Sequence, residues 1–408
     1  MFLGVYNSDC MKIGVLAYRF DYYTHLRNII NKLPEAEYVP VKDIYSNLRR
    51  AALFANRRLG RELFPTFDLN NQFEDFELSK VDILHFSNGV SYGRTPWVSH
   101  FETVLPRFSS LMQRYHGKSK KQFKLTTQIQ RGFYALQSPS CKRIIAWSQS
   151  AADMQRDLLT ELPFEERETI LKKMVVLHPP QDVLVEKPIE SHYDNSNPIR
   201  FILVGAAFFR KGGKETLLSF ERLIRNELVP IKLVIVSSLR LEPYAAHETE
   251  VDRDWAIQFI QENPDWIEYH QDLVNEELME LIKTCNVGLL PTYADTYGLS
   301  VLEEQACGLP VITTDVRAMP EINNTDVGWI IRVPKNDLGE ALYSTPEERE
   351  RVSQQIQAGL EAIVRNIAAD PSVIFTKAIK SVDRIREMHD PAAYAQKLRE
   401  IYQQALED

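Results

Sequence analysis

The sequence predicts an α/β protein of two domains, and three observations carry that prediction. Its 408 residues exceed one ordinary domain, at roughly 100–200 residues each. Short runs rich in Val, Ile and Leu alternate with longer helical patterns, as parallel strands and their crossover helices do. One polar, aperiodic stretch at 182–198, containing EKPIESHYDNSNP, interrupts the alternation and reads as a linker.

Taken in order, the apolar runs predict strands at 12–18, 81–86, 96–100, 143–147 and 174–177 before the linker. After it they predict strands at 199–204, 231–236, 287–290, 311–314 and 329–332. The two sets give Rossmann-like domains at 1–188 and 196–389. Ligands of such sheets bind beyond the carboxyl ends of the strands, so a cleft between two facing domains is the expected site. The tail at 390–408 reads as a helix with Tyr394, Leu398, Ile401, Tyr402 and Leu406 near one face, expected to pack back on the first domain.

Composition is that of a soluble globular chain, and the net charge of -8 argues against nucleic acid as the main partner, because phosphate-backbone binding needs clustered cations. Cys10, Cys141, Cys285 and Cys307 form no CxxC or Cys/His pair, so no zinc site or disulfide framework is expected and a reducing cytoplasm fits. No basic n-region precedes a long apolar stretch, and no apolar run nears the roughly 20 residues that cross a bilayer. Membrane contact is therefore expected only peripherally, at an inner surface, through the basic segments 47–61 and 114–131. In the first, Leu48, Ala52, Ala55 and Leu59 share one helical face with the arginines largely elsewhere. Such a helix suits anionic lipid or a lipid-diphosphate acceptor, and equally an ordinary solvated helix packed by its apolar side.

The stretch LLPTYADTYGLSVLEEQACGLPVITTDVRAMPEI carries the chemistry. Leu289 and Leu290 end a buried strand, a loop follows, and Gly298 opens a helix to about Cys307, where Gly308 is a natural left-handed cap and Pro310 stops continuation. The first-turn N–H groups and the positive end of the helix dipole suit a phosphate or diphosphate. Glu303, about a turn inside, suits two neighbouring hydroxyls such as those of a ribose. Taken alone, Asp295 is equally a helix cap and Glu303 a solvated helix residue. A second motif, FILVGAAFFRKGG at 201–213, ends a strand at Gly205 and places Arg210 and Lys211 together in a glycine-rich loop, where they would put positive charge on a leaving diphosphate.

On these residues the chain resembles the family 4 retaining glycosyltransferases of the GT-B fold, whose signature is two Glu separated by seven residues. Here the pair is Asp295 and Glu303, followed by Ala306-Cys-Gly-Leu-Pro and by Asp315, Pro320 and Glu321. The resemblance implies that Glu303 holds the nucleotide ribose and Asp295 faces the donor sugar. It further implies that the backbone at Tyr297, Gly298 and Leu299 holds sugar hydroxyls and the diphosphate, and that Lys211 contacts the phosphates. Ala206 stands where the family usually has an Arg, leaving the second cation to Arg210. In the first half the family's strand-end His falls at Glu102 by counting, with His100 two residues earlier; the sequence does not choose between them. No glycine-rich loop follows the first strand, where Tyr18, Arg19, Asp21, Tyr22 and Tyr23 stand instead, available to an acceptor or forming a plain surface loop.

The resemblance implies transfer from a nucleoside-diphosphate sugar to a sugar or lipid-linked acceptor, without cofactor or metal. Asp252-Arg-Asp254 has the DxD spelling of metal-dependent transferases but falls in an amphipathic helical stretch, which makes it incidental. The rival is a non-catalytic nucleotide-sugar-binding protein on the same scaffold. A dehydrogenase is disfavoured because neither domain shows GxGxxG after its first strand.

Overall fold

The computed structural model describes residues 10–115, 125–188, 190, 193–194, 196–242 and 244–407. They divide into two compact units, one comprising 10–113, 125–180 and 391–407, the other 181–390.

The first unit is built on β1 (Lys12–Leu16), β2 (Glu37–Val41), β3 (Gln72–Phe73), β4 (Ile83–Ser87), β5 (Val90–Ser91), β6 (Trp97–Phe101), β7 (Cys141–Ala146) and β8 (Met174–Val176). Six of these form a parallel sheet in the order β2-β1-β4-β6-β7-β8, while β3 and β5 make a separate two-stranded ribbon. Strands β4 and β6 are buried along their whole length, including the polar His85, Ser87, Ser99 and His100. The chain returns to this sheet at its end. The helix Pro391–Glu407 buries Tyr394, Leu398, Ile401, Tyr402 and Ala405 against Ile13, Val15, Ile83, Val98 and Ile145. Leu406, placed on the apolar face by the sequence pattern, is instead 42% exposed, and Ala405 takes the inward position.

The second unit carries β9 (Ile199–Val204), β10 (Ile231–Val236), β11 (Ile267–His270), β12 (Val287–Leu290), β13 (Val311–Thr314) and β14 (Trp329–Ile331), all parallel, in the order β11-β10-β9-β12-β13-β14. Numbered within the sheet this is 3-2-1-4-5-6, the doubly wound dinucleotide-binding order, whose switch point lies between β9 and β12. The helix Gly213–Glu227 packs beneath it, with Phe220 edge-on to Phe201 at 5.1 Å between ring centres. The described part of the linker also belongs here: the Leu184 N–H donates to the Ala306 carbonyl at 2.9 Å, so 181–188, which the sequence reading gives to the first domain, group with the second.

Besides the two-residue strands β3 and β5, two sheet strands escaped the sequence reading, β2 and β11. Each is an edge strand with mixed exposure along its length, so neither shows a continuous apolar run.

Candidate functional site

The loops that follow β9 and β12, the strands flanking the switch point, are stitched together. The Arg210 carbonyl accepts from both the Tyr293 N–H at 2.9 Å and the Thr292 hydroxyl at 3.0 Å. Gly205 closes β9 with φ 140°, and the Lys211 side chain lies across it: a Cβ there would fall 2.6 Å from Lys211 Nζ. That ammonium donates to the Val204 carbonyl at 3.2 Å. Absence of a side chain at Gly205 is thus what admits Lys211 to the end of the strand.

Across the switch point, the helix Leu299–Ala306 begins at Gly298, whose φ of 88° only glycine adopts without strain and whose Cβ would strike Met319 at 2.5 Å. Asp295 serves this mouth. Its Oδ1 accepts from the N–H groups of Tyr297 at 3.2 Å and Gly298 at 3.0 Å, and its Oδ2 lies 3.6 Å from Arg210 Nη1. Placed this way, it holds loop and helix rather than presenting a bare carboxylate. Arg210 is similarly engaged: Nε donates to Glu242 at 2.7 Å and Nη1 to the Ala294 carbonyl. Burial alone would lower its pKa, but the charges of Asp295 and Glu242 outweigh burial and raise it. Arg210 is thereby a fixed cation bracing the 294–295 turn.

Tyr297 is buried, while Leu299 and Glu303 are half-buried on the short helix. Glu304, beside Glu303, went unnoticed in the sequence. It is 1% exposed, presses its carboxyl against Gly288, where a Cβ would fall 2.2 Å from Oε2, and finds no hydrogen-bond partner among the described residues. Burial pushes its pKa well above the carboxylate range, partly opposed by the charge of Lys211. The available signal was helical position: a side chain next to an outward Glu303 on a half-buried helix turns inward. Asp252 has a structural role, completing a capping box with Thr249, and pairs with Lys214 at 3.2 Å. Among the described residues no group of three or more His, Cys, Asp or Glu suits a metal ion.

In the first unit the structure separates the two residues that the sequence left open. His100 is a core residue, 1% exposed, with Nδ1 3.2 Å from His85 Nε2, which in turn places Nδ1 2.5 Å from the Tyr402 hydroxyl. Burial pulls the pKa of His85 down to about 3 and that of His100 well below its ordinary value, so both rings stay neutral. Glu102 sits at the rim just past β6. It accepts from Asn88 Nδ2 at 3.3 Å and lies 3.8 Å from Arg107 Nη1. Arg19 reaches the Ser87 carbonyl at 3.3 Å, and Tyr22 and Tyr23 remain about half exposed.

Comparison with known proteins agrees with this geometry. Residues 186–361 match the family of glycosyl transferases group 1. A curated relative, N,N'-diacetylbacillosaminyl-diphospho-undecaprenol alpha-1,3-N-acetylgalactosaminyltransferase of Campylobacter jejuni, is 29% identical over 112 residues. That match covers 27% of this chain and 29% of the relative, so the chain spans less than a third of its length. Among solved structures, a sucrose-phosphate synthase from Thermosynechococcus elongatus is similar with a TM-score of 0.59 at 12% identity, covering 97% of this chain and 98% of the other. The Anabaena protein HepE in complex with UDP is similar with a TM-score of 0.57 at 13% identity, covering 96% and 99%. The second unit thus carries the match to the group 1 glycosyl transferases, in a chain with the GT-B fold.

Proposed function

We propose that this protein is a retaining glycosyltransferase of family 4 type, moving a sugar from a nucleoside-diphosphate sugar to an acceptor hydroxyl. The observation that carries the reading is Lys211 folded across Gly205 at the switch point of a 3-2-1-4-5-6 sheet, where nucleotide phosphates bind. Its ammonium spends one hydrogen bond on Val204 and carries two further N–H donors for the donor diphosphate. Glu303 takes the ribose diol, and the backbone at Tyr297–Leu299 takes sugar hydroxyls. The bond from the anomeric carbon to the leaving phosphate oxygen breaks as the bond to the acceptor oxygen forms on the same face. The acceptor proton passes to that phosphate oxygen, and Lys211 with the helix dipole stabilises the departing charge without a metal or cofactor. Arg210 and Asp295 position the loop rather than touch the reacting atoms. The UDP bound by HepE makes UDP the first nucleotide to test.

The acceptor is a sugar or a lipid-linked sugar, reached by peripheral contact with the cytoplasmic membrane face through 47–61 and 114–131; residues 116–124 lie outside those described. The helix Ile44–Leu59 supports this contact, since it buries none of its residues, leaves Leu48 and Phe54 exposed and carries Arg50, Arg57 and Arg58. No helix among the described residues is long and apolar enough to cross a membrane.

One observation favours a second reading, a nucleotide-sugar binder without turnover: both Asp295 oxygens are already engaged, leaving the donor sugar short of an acid. Release of nucleoside diphosphate from common nucleotide sugars, with and without lipid and sugar acceptors, decides. Turnover that falls steeply in Lys211→Ala and Glu303→Ala supports the transferase. Donor binding without any release supports the binder.

A further inference from the structure

The carboxyl end of the first unit's sheet holds an unassigned concentration of positive charge. A cavity of about 240 Å³ lies there, lined by Ala17, Tyr18, Lys42, Ser46, Arg49 and Arg50. Three of these six are cations, one is a hydroxyl and one a phenol, and none is a carboxylate. The nearest acid in sequence, Asp43, is consumed as a helix cap: its Oδ1 accepts from the Ser46 N–H at 2.8 Å and its Oδ2 lies 3.4 Å from the Glu74 N–H. Arg49 lies over the Tyr18 ring at 4.7 Å, and its buried Nε finds no acceptor among the described residues.

Two more guanidinium groups stand close by. Arg19 lies 5.4 Å from the Tyr18 ring centre, and Arg107 also keeps a buried Nε without an acceptor among the described residues. Burial, with the charges of Arg107 and Arg49, lowers the pKa of Arg19. A folded chain holds such a group together at a cost in repulsion that an arriving anion removes.

Position supports the same conclusion independently. Ala17 and Tyr18 directly follow β1, and in the order β2-β1-β4-β6-β7-β8 the direction of winding reverses between β1 and β4. That is the switch point, where open α/β sheets take their ligands; the cavity borders it through Ala17 and Tyr18, while Lys42, Ser46, Arg49 and Arg50 follow β2. In the second unit backbone and glycine dominate the corresponding place; here arginine and lysine do.

We propose that this cavity is the acceptor's anion site and that the acceptor carries a phosphate or diphosphate, gripped by Lys42, Arg49 and Arg50. This rests on the transferase reading above and narrows its acceptor class. Three cations match the charge of a diphosphate, whereas a single carboxylate needs one. The same chemistry is offered by a phosphorylated free sugar and by a lipid-linked phosphate. An apolar groove of about 620 Å³ on the same helix, lined by Leu48, Ala52, Ala55 and Phe64 among others, would lengthen the footprint only for the lipid.

The test uses the full chain with UDP saturating the donor site, titrated with inorganic pyrophosphate by calorimetry. A saturable second site is expected, weakened at least tenfold in Lys42→Glu and in Arg49→Gln, with UDP affinity unchanged in both. Lys42 is exposed, so its replacement tests the charge without burdening the core. Absence of pyrophosphate binding beyond the UDP site, or undiminished binding in both variants, overturns the proposal. Competition by decyl phosphate or by glucose 1-phosphate supports it and assigns the source to whichever competes more strongly; failure of both overturns it. If the native chain neither binds UDP nor cleaves a donor, the donor reading fails, while the effect of Lys42→Glu on pyrophosphate still decides the anion site.

Discussion

Each unit arranges six parallel strands in a doubly wound sheet, yet the two furnish the carboxyl ends of those strands differently. The second unit approaches its ligand with backbone and small residues: Gly205 makes room for Lys211, and Gly298 opens the helix whose lead-in loop Asp295 holds. The first uses long charged side chains around Tyr18, above a core holding neutral histidines. The contrast teaches that a backbone-built phosphate site needs particular residue types at fixed spacing in one short segment. A side-chain-built site draws Tyr18 from the end of β1 and Lys42, Arg49 and Arg50 from the segment after β2, residue types that an ordinary solvated helix also carries.

The largest expected effect tests that asymmetry in turnover. Lys211→Ala should lower donor cleavage by about 10²–10³-fold, the loss typical of one preorganised donor to a developing charge, with an unchanged unfolding transition. Glu102→Gln in the first unit, held by Asn88 and near Arg107, should lose tenfold or less in the same assay, roughly 1 kcal/mol. Equal losses would break the division of labour.

The next effect concerns pH. Burial lowers His25 from 6.5 to about 4 and His85 from 6.5 to about 3. Their folded values lie below the unfolded one, so the stability tied to their neutral forms is present above about pH 6.5 and is lost as pH falls toward 4. His25 alone accounts for about 3 kcal/mol at the limit. The second unit carries the opposite case: burial raises Glu215 and Glu304, so stability tied to their protonated forms is present below the unfolded carboxylate value and fades as pH rises through the folded ones. Peptide-resolved hydrogen exchange between pH 7 and 4.5 should show the first unit loosening before the second. The reverse order would contradict the assignment of buried neutral histidines.

The smallest effect lies at the helix mouth. Asp295→Asn keeps an oxygen for the Tyr297 and Gly298 N–H groups but loses the charge beside Arg210, costing about 1 kcal/mol by denaturant unfolding. Asp295→Ala loses both and should cost about 2 kcal/mol. Equal costs would mean that the hydrogen bonds from Tyr297 and Gly298 contribute nothing.

Most of the second unit was legible in the sequence because its evidence is local. Its interior strands are short runs rich in Val, Ile and Leu, and Gly298, Glu303 and Gly308 mark a helix by position. Asp295 was legible as a residue but not in its role, because cap, sugar contact and ion pair all use the same carboxylate. The edge strands β2 and β11 escaped because half-exposed strands dilute the apolar signal, and Glu304 escaped because a buried acid resembles any helix glutamate until its neighbours are known. The contact between His85 and Tyr402 joins residues 317 positions apart, and no window along the chain contains it.

The central claim, that the donor nucleotide binds the second unit between the ends of β9 and β12, is tested most directly by hydrogen–deuterium exchange of the full chain with saturating UDP. The account predicts slowed exchange at 205–214 and 295–303 in the native protein, largely abolished in Lys211→Ala. Protection confined to residues 10–113, with 205–214 and 295–303 unaffected, would contradict it.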